Sequence, residues 1–188
     1  AQFSGSVRPI LDYLVRDVLN TQAEEVQTFL LKTSFLKRLT GLLCDAAVDR
    51  TGSGEILKQL ERANLFILPL DEIGQWYRYH TLFAEAMQHE AAQRYGQEAI
   101  RSIYRQASSW HERHGMLADA VEDSLSAQDY PSAALLVQKL VKLEEFTEAR
   151  ELHTLRRWLE KMPEPVIHEN PGLCFLYARA LLFTPEQS

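Results

Sequence analysis

Hydrophobic side chains recur every three or four positions along most of this chain, which is the spacing of one face of an α-helix. Before residue 65 the pattern predicts helices at Ile10–Leu19, from Thr21 to near Ser34, at Leu39–Val48 and at Glu55–Asn64. Thr21 followed by Glu24 has the spacing of a capping box, so a helix is expected to begin there. The first third of the chain is therefore predicted to be a series of short helices.

One short segment departs from this helical period. Phe66–Leu70 is an apolar run rich in strand formers, Asp71–Gly74 is a polar turn ending in glycine, and Gln75–Tyr79 alternates aromatic and polar side chains. These features predict a β-hairpin. A helical pattern, Thr81–Tyr95, follows at once, so the hairpin delivers His80 to the start of a helix. The apolar face of that helix is expected to contain Leu82, Phe83, Ala86 and Met87. Helices followed by such a hairpin predict a winged helix domain.

Beyond Tyr95 the pattern is that of short helices joined by tight turns. Glu98–His114 ends at Gly115, a suitable C-cap. Three related turns, each with an apolar residue three positions before an alanine, open further helices at Leu117, Tyr130 and Phe146. Small alanines allow helices to approach closely, as tetratricopeptide-type stacks require, but the spacing is too irregular for a strict repeat. A degenerate helical solenoid is predicted.

The segment Met162–Pro165 is expected to break the chain before a last apolar helix, Pro171–Phe183. That helix has a stripe formed by Leu173, Leu176, Tyr177, Ala180 and Leu181. The stripe predicts a partner helix beyond Ser188 and an exposed edge that self-associates. The N-terminal segment AQFSGSVRP, which lacks the apolar run of a signal peptide, is interpreted as a cut inside a longer protein. The overall prediction is a mainly α fold in three parts. They are a helical lead-in at 1–20, a winged helix domain with a small β-wing at 21–95, and an arm with truncated tetratricopeptide-like repeats (an α-superhelix) at 96–188.

Composition narrows the classes of partner. A net charge of −6 over 188 residues argues against a dedicated binder of nucleic acid or anionic membrane, so proteins are the expected partners. Cys44 and Cys174 have no CxxC spacing, which argues against a disulfide framework and a zinc knuckle and predicts a reducing, cytoplasmic compartment. No apolar run approaches the roughly 18 residues of a membrane span.

The other chemical signals are weak. His111 and His114 share a helical face, but no further ligand has matching spacing, so no metal is predicted and the dipole of the last helical turn is the simpler reason for them. Trp110 and Trp158 are assigned to the core, with a ligand-binding concave surface as the alternative.

The predicted recognition helix Glu55–Asn64 contains as many acidic as basic side chains, and the wing tip is acidic. Both features argue against direct DNA binding. The chain has no Gly-Lys pair and so no phosphate-binding loop, and an enzyme is not predicted.

Five segments in this order carry a family resemblance: DYLVRDVLN, FLLKTSFLKRLTGLLCDAAV, LERANLFILPLD, WYRYHTLFAEAM and ASSWHERHGMLADAVEDSL. They resemble the middle of MalT-like, LuxR-type transcriptional regulators, which are signal-transduction ATPases with numerous domains. The resemblance implies a winged helix, an arm and the start of a helical sensor. It also implies ATP or ADP in a nucleotide-binding domain of the full-length protein, with slow ATPase activity there, and a separate DNA-binding domain.

The resemblance further implies a role for His80. In this class of ATPase a histidine of a Met-His-Asp type motif contacts the β-phosphate of bound ADP and locks the inactive form. Tyr79-His80-Thr81-Leu82 matches the position of this motif, with Tyr in place of Met and Thr in place of Asp.

The resemblance also implies the partners. They are the protein's own nucleotide-binding domain, an effector or regulatory protein that binds the repeats, and other copies of the protein in its active state. Two alternatives stay open: His80 merely caps a helix or packs beside Trp76, and the chain is a free-standing helical-repeat scaffold for a protein partner.

Overall fold

Helices account for most of the described chain. The structure is a computed structural model that describes residues 13–143 and 149–183. It divides into two units between Ala107 and Ser108. Within the described residues the sheet consists of two antiparallel strands. The mainly α fold with a small hairpin is confirmed. The domain boundary expected after residue 95 stays a prediction.

The first unit contains three short helices, the hairpin and the start of a long helix. It opens with a π-helical turn, Leu14–Val18, and a 3₁₀ turn, Leu19–Thr21. Helices α1 (Glu24–Thr33), α2 (Gly41–Val48) and α3 (Ser53–Arg62) follow, then β1 (Ile67–Pro69), β2 (Tyr77–Tyr79) and α4 (Thr81–Arg113). Gly96 interrupts α4 with φ 75° and ψ 171°, a conformation that is essentially restricted to glycine. Two helical segments were expected on either side of this residue, and the interruption confirms them.

Two predicted helix starts are wrong. Ala23, not Thr21, is the N-cap of α1 and makes no side-chain cap, because the 3₁₀ turn extends to Thr21 and the Thr21 hydroxyl donates to the Val18 carbonyl at 2.8 Å. Helix α2 begins two residues after Leu39. Leu39 instead exchanges backbone hydrogen bonds with Tyr77 at 2.8 and 2.9 Å, which extends the sheet by one bridge. The Thr40 hydroxyl then caps α2 by accepting from the Leu43 amide.

The core of the first unit is built from the apolar helix faces and the inner side of the hairpin. Its largest fully buried side chains are Leu19, Phe29, Leu30, Leu31, Leu39, Leu43, Leu57, Phe83 and Met87. Two residues expected on these faces lie outside. Ala63 is exposed because α3 ends at Arg62, and Leu82, in the first turn of α4, is 36% exposed.

The second unit begins at Ser108, within the last turns of α4, and continues as a series of shorter helices. Gly115, with φ 74°, lies in the turn between α4 and the next helix. Five helices follow: α5 (Leu117–Ser126), α6 (Tyr130–Leu143), α7 (Ala149–Glu160), α8 (Glu164–His168) and α9 (Pro171–Phe183). Phe146 lies outside the described residues. The break expected in Met162–Pro165 is found, since α7 ends at Glu160 and Pro163 is the N-cap of α8. Pro165 lies in the first turn of α8, where a missing backbone N–H costs nothing.

The predicted apolar stripe of α9 is covered. Leu173, Leu176 and Ala180 are buried in the same cluster as Leu155 and Leu159 of α7, and Tyr177 packs against that cluster. The expectation that this stripe lacks a partner is therefore wrong for these residues. The large hydrophobic side chains of α9 that are exposed are Phe175, Leu181, Leu182 and Phe183.

Candidate functional site

The hairpin has one buried side and one exposed side. Ile67 pairs with Tyr79, Leu68 with Arg78 and Pro69 with Tyr77. Ile67, Tyr77 and Tyr79 are buried, whereas Leu68 and Arg78 are exposed. Because side chains alternate along a strand and paired residues point to the same side, this burial pattern defines an inner and an outer face.

The turn between the strands is held by one carboxylate. The Asp71 oxygens accept the amide hydrogens of Gln75 at 2.9 Å and Trp76 at 3.0 Å. An aspartate that accepts from the backbone a few residues later is a standard device for fixing a turn. The acid noted at the wing tip thus has a structural role.

Two tyrosines attach the inner face to the helices. The Tyr79 hydroxyl lies 2.8 Å from the Thr33 hydroxyl of α1, and the Tyr77 hydroxyl donates to the Glu61 carboxylate of α3 at 3.0 Å. Burial, and then the Glu61 carboxylate, raise the pKa of Tyr77 to about 12, and burial raises the pKa of Tyr79 above its ordinary range. Both phenols are therefore neutral anchors at physiological pH.

His80 follows β2 directly and is fixed by its backbone at the start of α4. Its amide donates to the Phe66 carbonyl at 2.7 Å, and its carbonyl accepts the Ala84 amide at 2.9 Å in the first hydrogen bond of the helix. The His80 residue is exposed. Within residues 13–143 and 149–183, no hydrogen bond to the imidazole is found. The backbone is thus constrained while the imidazole faces solvent.

The alternative that His80 merely caps a helix stays open, because His80 is the residue before α4 and its carbonyl accepts the first hydrogen bond of that helix. The ring of Trp76 lies under the Arg38 guanidinium at 4.9 Å, and His80 is exposed rather than packed in the core. The tertiary structure leaves the imidazole accessible. An accessible imidazole next to a helix N-terminus suits a phosphate group, since both favour negative charge.

Two basic side chains that the sequence analysis did not single out, Lys37 and Arg78, lie on one cleft beside the hairpin. Lys37, Arg78 and Thr81 help to line an open cleft of about 370 Å³, together with Glu85 and Gln88. His80 does not line this cleft. Lys37 lies forty residues before Tyr77 in sequence, so only the Leu39–Tyr77 bridge reveals that it is near Arg78.

The paired histidines of the second unit have structural partners. His111 Nδ1 lies 2.7 Å from the Asp123 carboxylate, and both side chains are buried. His114 stacks on Trp110 with ring centroids 3.9 Å apart. Among the described residues, no group of three metal-ligating side chains occurs. Trp110 and Trp158 are buried, as the core assignment predicted.

The cysteines are free thiols. Cys44 is buried, which raises the pKa of its thiol far above the ordinary range and leaves it unreactive. Cys174 is partly buried and lies 3.1 Å from the Ile167 carbonyl. In the part of the chain that is described, no helix is long and apolar enough to cross a membrane.

Comparison with known proteins supports the same assignment of the first unit. Residues 15–99 match the family model of the MalT winged helix domain. The chain is 30% identical over 175 residues to the HTH-type transcriptional regulator MalT of Vibrio cholerae, which covers 89% of this chain and 18% of that protein. It is 29% identical over 168 residues to MalT of Yersinia pestis, with the same two coverages.

A second kind of relative shares the segment. The chain is 29% identical over 184 residues to the serine/threonine-protein kinase PknK of Mycobacterium tuberculosis, covering 97% of this chain and 16% of that protein. The chain thus spans less than a fifth of the length of the curated relatives it matches.

The three short helices, the hairpin and the helix after it define a winged helix domain. Residues 15–99 belong to the MalT winged helix domain family, and the chain as a whole is similar to a segment of MalT. The resemblance expected from the five sequence segments is confirmed.

Proposed function

We propose that this chain is the regulatory middle segment of an ATP-dependent, signal-responsive transcriptional regulator of the cytoplasm. In this proposal the winged helix domain holds a nucleotide-binding domain of the same protein closed, and the helical repeats bind an effector or a regulatory protein. Release of the closed state permits self-association. The chain itself does not bind DNA and is not an enzyme.

The observation that carries the proposal is the placement of His80. The hydrogen bonds of the His80 amide and carbonyl fix its backbone, and Tyr79 before it and Phe83 after it are both buried. The backbone therefore holds the exposed imidazole at the start of α4, and the imidazole is not part of the core. A contact from this group to the β-phosphate of ADP bound by another domain fits its chemistry.

The test is His80→Ala in the full-length protein. Losing one charge-assisted hydrogen bond costs roughly 1.5 to 3 kcal/mol, so ADP release should be about ten- to hundredfold faster, with more self-association. His89→Ala, which removes an exposed histidine within α4, is the matched control. A well-folded His80→Ala variant that releases ADP at the wild-type rate would refute the nucleotide contact.

A second candidate is a regulatory segment of a protein kinase. The similarity to PknK, which extends over 97% of this chain, favours it. Both candidates assign the same coupling role to the segment and differ in the output domain. Sequencing the gene on both sides of the segment distinguishes them, since a kinase domain and a DNA-binding helix-turn-helix have different motifs. The absence of both, and of a phosphate-binding loop, would instead favour a free-standing scaffold.

A further inference from the structure

Two residues between α3 and β1 have a left-handed backbone. Asn64 has φ 49° and Phe66 has φ 54°. The end of α3 explains the conformation of Asn64. The Leu65 amide donates to the Leu60 carbonyl at 2.9 Å. The Asn64 amide donates to the Glu61 carbonyl at 3.0 Å. These two bonds close a helix in a Schellman motif, in which an asparagine with positive φ is common. The second left-handed residue, Phe66, is not required by the end of the helix.

A left-handed backbone is costly for phenylalanine. The β-carbon of an L-residue then lies too close to the following carbonyl oxygen, which is why glycine and asparagine are the usual residues in this conformation. A bulky residue keeps it only where surrounding contacts hold the backbone in place, and such strained residues cluster at functional sites. The contacts of Phe66 therefore indicate what the strained conformation achieves.

Both the backbone and the ring of Phe66 contact the start of α4. The Phe66 carbonyl accepts the His80 amide hydrogen at 2.7 Å, next to the pairing of Ile67 with Tyr79. The Phe66 ring stacks on the ring of Phe83, with centroids 5.1 Å apart and an angle of 7° between the planes. Phe83 is fully buried, so this stack attaches Phe66 to the core. Phe66 thus contacts His80 itself and the residue three positions after it.

We propose that Phe66 is a positioning residue for His80. Its left-handed backbone places the carbonyl against the His80 amide, and its stacked ring holds the first turn of α4. With the backbone of His80 held in this way, the exposed imidazole is presented to a nucleotide phosphate from one position. The effect of Phe66 on nucleotide retention rests on the proposed function, whereas its hold on His80 rests on the two contacts.

Hydrogen exchange in the 188-residue chain tests the hold on His80. Phe66→Gly loses the ring, but glycine adopts the left-handed conformation without strain, so the variant is expected to fold. The His80 amide should then exchange at least severalfold faster than in the wild type. The Leu39 amide, which donates to the Tyr77 carbonyl, is the internal reference and should exchange at its wild-type rate. An unchanged His80 rate in the folded variant would overturn the proposal.

Thermal unfolding tests the strain at position 66. Phe66→Ala loses the ring and keeps the β-carbon that makes the conformation costly, whereas Phe66→Gly loses both. The glycine variant should therefore have the higher melting temperature of the two. The opposite order would show that the left-handed backbone is unstrained, and it would overturn the proposal.

ADP release from the full-length protein separates positioning from a merely structural role. Phe66→Gly should release ADP faster than the wild type and no faster than His80→Ala. Because Phe66 acts through His80, the double variant should release ADP at the His80→Ala rate. Phe66→Tyr keeps an aromatic ring and should retain the wild-type rate. Phe35→Ala removes another partly buried ring of the first unit, which contacts Tyr104, and should leave ADP release unchanged.

Three outcomes separate this inference from the phosphate contact of His80. Fast ADP release in His80→Ala together with a wild-type rate in folded Phe66→Gly would support the phosphate contact and overturn the positioning role. A wild-type release rate in His80→Ala together with fast exchange of the His80 amide in Phe66→Gly would refute the phosphate contact and support the hold of Phe66 on His80. Additive acceleration in the double variant would show that Phe66 acts independently of His80, and it would overturn the proposal.

Discussion

The Tyr79 hydroxyl donates a hydrogen bond to the Thr33 hydroxyl across 2.8 Å in the core of the winged helix domain. The direction follows from counting hydrogens. The single hydroxyl hydrogen of Thr33 is used on the Phe29 carbonyl at 2.7 Å, so the hydrogen between the two residues belongs to Tyr79. This bond joins the residue before His80 to α1, and it therefore fixes the end of the hairpin at which the candidate site lies.

Substitutions at these two positions should have unequal effects. Tyr79→Phe removes a donor and leaves Thr33 with its Phe29 bond, so we expect a loss of about 1 kcal/mol in the free energy of unfolding. Thr33→Val leaves a buried phenol without an acceptor and should cost more, about 2 kcal/mol. Urea unfolding of the two single variants and the double variant gives the coupling. Strictly additive losses would contradict the bond.

The Tyr77–Glu61 contact predicts a dependence of stability on alkaline pH. The pKa of Tyr77 is raised from 10.0 to about 12 by burial and by Glu61, so folding favours the neutral phenol. The stabilisation is complete below pH 10, where the unfolded chain is also neutral. It is lost as the pH rises from 10 through 12, because the unfolded state then releases a proton that the folded state retains.

Tyr77→Phe isolates this effect. The variant should lose less stability than the wild type between pH 10 and 12, as measured by urea unfolding at a series of pH values. Tyr79 titrates above its ordinary range in both proteins and so contributes the same background. Parallel pH profiles for the two proteins would show that the raised pKa of Tyr77 has no effect on stability.

The buried His111–Asp123 pair is expected to hold α5 against the end of α4. Asp123→Ala leaves the His111 ring buried without its partner, and removing one member of a buried pair costs about 3 kcal/mol. Asp123→Asn keeps an acceptor at the same place and should cost less. Thermal and urea unfolding of the chain measure both losses. An Asn variant as unstable as the Ala variant would show that charge, rather than the hydrogen bond, dominates this pair.

Much of the fold could be predicted because it depends on local periods. The helices at Glu55–Asn64 and Pro171–Phe183, the hairpin and the interruption near Gly96 all follow from spacing, turn residues and glycine. Helix starts were less predictable. Thr21 has the capping spacing, but the preceding 3₁₀ turn uses its hydroxyl, and this competition depends on the backbone rather than on residue type.

The candidate site was predictable only in part. The position of His80 between an alternating strand and a helix follows from the sequence, and so does its resemblance to a phosphate-contacting motif. The exposure of the His80 imidazole does not follow from the sequence, because the same alternating pattern also fits a buried imidazole. Arg38, Lys37 and Arg78 were missed, since their proximity depends on a backbone bridge between residues that are distant along the chain.

The sequence by itself determined the helical period, the position of the hairpin and the family to which residues 15–99 belong. Local side-chain spacing is sufficient for each of these. Only the tertiary structure decided which side of the hairpin is buried, that His111 pairs with Asp123, and that the stripe of α9 packs on α7. These facts depend on contacts between distant segments, and the free energy of such contacts is realised only when the chain is folded.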